Sequence, residues 1–198
     1  MSSVPLPWAA ASVSTTKHSQ LWAQWLTFAC LAGGGAVLDL WTKQAVFAWR
    51  GTPGQLPPWW LIEPYVGIET AVNEGALFGM GAGFGSVFAV MSILAGVGII
   101  IWLARFGAIE SWWLSVALGC VMAGIFGNLH DRLGLWYQAG YPPEWRSGVR
   151  DWILLRYQDF TWPNFNIADS LLVTGAIMLA LHSFFAPHSA PPRETSSA

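Results

Sequence analysis

Residues 111–132 read SWWLSVALGCVMAGIFGNLHDR. No charged side chain interrupts the run before Asp131, and a helix that spans a bilayer needs ~20 apolar residues. The stretch then ends in a polar group that includes Asn128, Asp131 and Arg132. Ionisable residues at the edge of a membrane span must have their desolvation offset, so they are candidates for function. Three further runs share this character: Leu21 to about Phe47, Ala82–Leu103, and Asn166 to about Phe185. Only Ala104–Ser111 separates the second run from the third, which predicts an antiparallel hairpin. Glycines recur inside the spans (Gly33, Gly34, Gly35, Gly96, Gly98, Gly119, Gly124, Gly127), and small residues let helices pack closely in lipid.

Composition agrees with four spans. The 198 residues are 54% hydrophobic and only 10% charged. That is too little charge to coat a soluble enzyme, which ordinarily carries about 25%. The net charge of −2 leaves no basic surface for a nucleic-acid backbone. Cys30 and Cys120 lie in apolar runs and make no disulfide framework. Thr27 stands third before Cys30, where a lipid-attachment signal has an aliphatic residue, so the first run is expected to be retained.

The expected organisation is a loose tail over residues 1–20, a membrane domain over 21–185, and a second loose tail over 186–198. The fold class is all-α, with four transmembrane helices and a small antiparallel sheet. Strands are expected where Val66, Ile68, Thr70 and Val72 alternate with Gly67, Glu69, Ala71 and Asn73, and again over Val149–Tyr157. Trp41, Trp49, Trp59, Trp60, Trp136, Trp145, Trp152 and Trp162 gather on the sheet side, and Trp22, Trp25, Trp102, Trp112 and Trp113 on the other. Both groups suit interfacial belts. Lys/Arg counting places the sheet side in the cytoplasm, but without Lys43 and Arg132, which stand beside acidic or amide residues, the count is three against four.

Five polar clusters fall on the sheet side, and each has a plain structural reading. Asp39 and Lys43 share a helical face as an i,i+4 pair. Asn73-Glu74-Gly75-Ala76-Leu77-Phe78-Gly79 can be a turn. Asn128 and Arg132 can close a helix, with the Arg snorkelling to headgroups and His130 incidental. Asp151 alone would mean nothing. Asn166 and Asp169 form a loose capping box. Together, however, Asp151 and Asp169 flank one segment and could meet. Two close carboxylates can share one proton and divide base and acid roles on a water molecule. No HExxH, GxSxG or CxxC is present, and His130 has no second ligand at metal spacing.

In order along the chain, Asp39-Leu-Trp-Thr42-Lys43, Asn73-Glu-Gly75-Ala76-Leu-Phe78, Gly124-Ile-Phe-Gly127-Asn128-Leu-His-Asp131-Arg132, Val149-Arg-Asp151-Trp152-Ile153 and Phe165-Asn166-Ile-Ala168-Asp169 resemble the lipoprotein signal peptidase (signal peptidase II) family. The resemblance covers about residues 20–185. It implies a multi-pass peptidase of the bacterial cytoplasmic (inner) membrane, with both termini in the cytoplasm. The sheet and the active site would face the extracytoplasmic side, in segments about 48–75 and 133–163. The implied activity is aspartyl cleavage of a diacylglyceryl-modified prolipoprotein just before its lipid-bearing cysteine. Asp151 and Asp169 would be catalytic. Asp39, Lys43, Asn73, Gly75, Asn128, Arg132, Asn166 and Ala168 would bind substrate or support the site. No metal or cofactor is implied. The expected partners are lipid-modified prolipoproteins and membrane lipids, not nucleic acid, and the expected state is a monomer. Trp152 stands where the family usually has Phe. Leu133–Gly148 is longer than the family's usual stretch and reads as an added lid or membrane-resting loop. The rival readings are a small proton-coupled membrane carrier, with Asp169 and Lys43 as relay groups, and a non-catalytic assembly factor.

Overall fold

The computed structural model of the chain describes residues 7–75 and 83–185. Its elements run α1 (Pro7–Arg50), β1 (Trp59–Ile62), β2 (Val66–Asn73), α2 (Gly85–Arg105), α3 (Trp112–Arg132), β3 (Val149–Tyr157), β4 (Phe160–Phe165) and α4 (Ile167–Phe185). Among the described residues, His18–Arg50, Gly85–Arg105, Trp112–Arg132 and Ile167–Phe185 are long and apolar enough to cross a membrane. The expected hairpin is present, with a 3-10 turn over Ala108–Glu110 between α2 and α3. Helix α1 starts at Pro7, within the stretch expected as a tail over 1–20. Proline suits the first helical position, and the alanines that follow are strong helix formers. The tail expected over 186–198, and the motif residues Ala76 and Phe78, lie outside the described residues.

Helix α3 is the central helix. In its apolar window 61% of residues are buried inside the protein, against 22%, 17% and 11% for α1, α2 and α4. Glycine makes that centrality possible. A methyl group added at Gly124 would lie 2.5 Å from the Ala168 carbonyl oxygen, and one at Gly119 would lie 3.0 Å from Leu31 Cβ. Backbones approach closely at such points, as expected of small residues in lipid. Gly33, Gly34 and Gly98 meet nothing and play no such part. Away from the sheet, Phe28, Leu103, Ile109, Leu114, Leu118 and Met122 form the apolar core. There Ser111 caps α3, its Oγ accepting the Leu114 N–H at 3.3 Å.

The sheet has four antiparallel strands in the order β1-β2-β3-β4. β2 and β3 stand where the sequence predicts strands, and β1 and β4 extend the sheet on either side. The strict alternation expected of β2 is broken. Ile68 pairs with Ile153 and Ala71 with Asp151, so one extra residue bulges on β2. Gly67 and Thr70 are therefore the buried residues of β2. A second bulge lies on β4 between the partners of Ile153 and Leu155, at Pro163-Asn164, where proline has no N–H to give a ladder. The C-termini of α1 and α3 and the N-terminus of α4 all end beside this sheet.

Candidate active site

Asp39 and Lys43 are fully buried, with Lys43 Nζ 2.7 Å from Asp39 Oδ2. The other oxygen, Asp39 Oδ1, accepts the backbone N–H of Ala168 at 2.9 Å. An acid on α1 thus satisfies an orphan donor in the first turn of α4. Lys43 Nζ also donates to Asn128 Oδ1 at 3.0 Å and lies 3.7 Å from Asp131 Oδ2. Gly127 makes room for this meeting, since a methyl group there would run into the Asp39 carboxylate and sit 3.0 Å from Ala168 Cβ.

The end of α3 supplies the next layer. Asn128 Nδ2 donates to Asp169 Oδ1 at 2.8 Å, while its Oδ1 accepts from both Lys43 and Asn166 Nδ2, the latter at 3.1 Å. Asp131 is fully buried and binds Arg150, with Nη2 to Oδ1 at 2.8 Å and Nε to Oδ2 at 3.1 Å. Arg132 donates to the carbonyls of Asn73 at 3.2 Å and Ser147 at 2.9 Å, and also to that of Gly75. Its hydrogen bonds therefore hold this chain's own loops, and its charge interacts favourably with Asp151 and Asp169.

Asn166 stands between the two candidate carboxylates. Its Nδ2 donates to Asp151 Oδ1 at 2.6 Å. Its backbone N–H donates to Asp169 Oδ2 at 3.1 Å, and its Oδ1 accepts the Asp169 N–H at 2.9 Å. The last two bonds are the reciprocal capping box the sequence predicts. The first joins that cap to Asp151. Asn73 bonds the Asp151 carboxyl from β2, and its Oδ1 accepts the Gly75 N–H at 3.0 Å. Burial, and then the charge of Asp169, push the Asp151 carboxyl up to about 8.

Asp39, Lys43, Asn73, Asn128, Asp151, Asn166, Ala168 and Asp169 thus belong to one connected cluster. Gly75 joins it through its backbone, and Arg132 through the carbonyls it holds. Four carboxyl groups (Asp39, Asp131, Asp151, Asp169) face three cations (Lys43, Arg132, Arg150), so one proton on the acids balances the cluster. His130, read as incidental, has Nδ1 3.0 Å from Asp131 Oδ1. The Asp131–Arg150 pair is not part of the expected site, although Asp131 and Arg150 stand within the stretches that carry the resemblance.

A family model described as Signal peptidase (SPase) II matches residues 31–185. A lipoprotein signal peptidase from Rhodopirellula baltica is 59% identical over 181 residues, covering 91% of this chain and 80% of its own. One from Pseudomonas putida is 36% identical over 67% of this chain and 73% of its own. The chain belongs to the signal peptidase II family. Its fold is also that of a solved bacterial membrane enzyme, with a TM-score of 0.67 at 23% identity over 83% of this chain and 93% of the other. The family makes this a protease that acts in removing signal peptides from prolipoproteins, and a multi-pass bacterial membrane protein. Membership displaces the carrier and assembly-factor readings.

Proposed function

We propose that the chain is an aspartyl endopeptidase working within the membrane. It cuts a diacylglyceryl-modified prolipoprotein just before the lipid-bearing cysteine. The observation that supports this most is the Asn166 link between Asp151 and Asp169, two carboxylates that interact electrostatically inside a buried cluster.

In this reading the pair holds one proton, and Asp151 carries it. Asp169 is the ionised partner, facing the Asn128 amide, the Asn166 N–H and the positive end of α4. Asp169 takes a proton from water as the water oxygen bonds to the scissile carbonyl carbon. Asp151 hydrogen-bonds the carbonyl oxygen and gives it a proton. When the C–N bond breaks, the proton on Asp169 goes to the leaving nitrogen and one hydroxyl proton of the tetrahedral intermediate returns to Asp151, which restores the starting pair. Asn73, Asn128 and Asn166 orient the carboxyls and the substrate backbone. Asp39, Lys43, Arg132, Gly75 and Ala168 support them. No metal or cofactor takes part. The substrate is itself a membrane helix, and a dyad at the top of α4 under a surface sheet meets its lipid-bearing end.

The sheet is placed on the extracytoplasmic side of the inner membrane, both termini are cytoplasmic, and the working unit is a monomer. The test is to incubate the purified chain with lipid-modified prolipoprotein and weigh the products. A product that begins at the lipid-bearing cysteine is expected. An intact substrate, or a cut elsewhere, would contradict the proposal.

A further inference from the structure

Three of the four residues ahead of Asp151 are tied to α3 or to the turn after it. Arg132 Nη1 donates to the Ser147 carbonyl at 2.9 Å. Trp136 Nε1 donates to the Gly148 carbonyl, also at 2.9 Å. The Arg150 N–H donates to Asp131 Oδ2 at 3.0 Å, and the Arg150 guanidinium takes both oxygens of the same carboxylate. Arg150 Nη1 reaches Gln44 Oε1 on α1 at 3.3 Å. On its other side, the Arg150 carbonyl accepts Asn166 Nδ2 at 3.4 Å, and that amide is the one 2.6 Å from Asp151 Oδ1.

Trp136 and Phe47 close over the guanidinium, with ring centroids 5.3 Å and 5.9 Å from it. Arg150 is 3% exposed and Trp136 8%. Trp136, in the stretch Leu133–Gly148 expected as an added lid or membrane-resting loop, therefore lies over Arg150 and has Tyr141 against it.

We infer that Arg150, fixed by Asp131 and covered by Trp136, is a positioning residue for Asp151. Successive strand residues point to opposite faces, so a slip of one residue would exchange Arg150 with Asp151. A two-pronged pair plus a backbone bond on one carboxylate prevents that slip and sets how far Asp151 stands from Asn166. A compact ammonium could keep the charge but not the fork. The inference rests on the proposed catalytic role of Asp151.

The test uses the full chain and lipid-modified prolipoprotein, with D151N as the reference. R150M should lower kcat by about 100-fold at unchanged KM, the scale of a 1 Å misplacement. R150K should recover part of that loss. W136F, which keeps the ring but loses its bond to Gly148, should lower kcat less than R150M. If R150M does not fold, R150K and W136F carry the same comparison. Wild-type kcat per folded molecule in the folded Arg150 variants would overturn the inference, and so would a loss confined to KM. A D151N variant that still cleaves would instead overturn the reading of Asp151, and the inference with it.

Discussion

Asp39 on α1 caps α4, accepting the Ala168 N–H at 2.9 Å across a separation of 129 residues. The contact joins the first and last spans at the depth where Asn128 and Asp169 meet. It also places a buried carboxylate at a helix N-terminus, where negative charge is favoured. Lys43 balances that charge from one turn further along α1.

Lys43→Met should be strongly destabilising. It leaves Asp39 buried beside Asp131 with its cation gone, and breaking a buried pair in this way costs about 3–5 kcal/mol. The double change Asp39→Asn with Lys43→Met should recover part of the loss, since neither charge remains. Thermal unfolding in detergent measures both. A melting temperature unchanged in Lys43→Met would refute the pairing.

Gly127→Ala is the smallest change that should disturb the same place. The added methyl group meets the Asp39 carboxylate and Ala168. Overpacking of this kind typically costs about 1–3 kcal/mol, and here it pushes α1 and α4 away from α3. Gly98→Ala, where nothing lies within reach, is the control and should hold or raise the melting temperature, since alanine favours a helix over glycine. Equal behaviour of the two variants would argue against close packing at Gly127.

The pH dependence follows from Asp151. Its carboxyl stays protonated up to about 8. Turnover should fall as pH rises through that value, when a second negative charge forms on the pair. Stability moves the same way. The folded chain holds a proton that the unfolded chain releases above its ordinary value of 3.8, so each rise in pH between 3.8 and about 8 weakens the fold. Asp151→Asn should flatten the melting temperature across that window. A wild-type turnover that keeps climbing above pH 8 would contradict the assignment.

The four spans were legible because bilayer burial demands uninterrupted apolar runs, and the α3 run has no charged residue before Asp131. The capping box of Asn166 and Asp169 was legible for a similar reason, since both partners lie within one helical turn. The bulge on β2 was not. An alternation of residue types carries no mark of an extra residue, and this one lets Gly67, from one expected face, and Thr70, from the other, both be buried. The Asp131–Arg150 pair was hidden by distance, because its members stand 19 positions apart on different elements. Arg150 sits beside the candidate acid Asp151, but only the fold shows what it holds. The length of Leu133–Gly148 suggests an added lid or membrane-resting loop, and nothing in its sequence marks a ring that packs on the site. Trp136 instead turns inward over a cation.

Orientation can be checked by cysteine labelling. With the sheet outside, cysteines introduced over positions 54–58 should react with an impermeant reagent in intact cells. Those in the 106–109 turn between α2 and α3 should react only after permeabilisation. The reverse pattern would overturn the topology and place the site on the cytoplasmic side.

The most direct measurement is cleavage of lipid-modified prolipoprotein by folded Asp169→Asn. Asparagine keeps one oxygen that can accept the Asn166 N–H, so the cap and the fold should survive the change, while the bond from Asn128 Nδ2 to the other oxygen is lost and the melting temperature falls modestly. It cannot take a proton from water. No shortened product should form, although the variant should still bind substrate. Cleavage at the wild-type rate would reduce Asp169 to a helix cap and contradict the carboxylate pair.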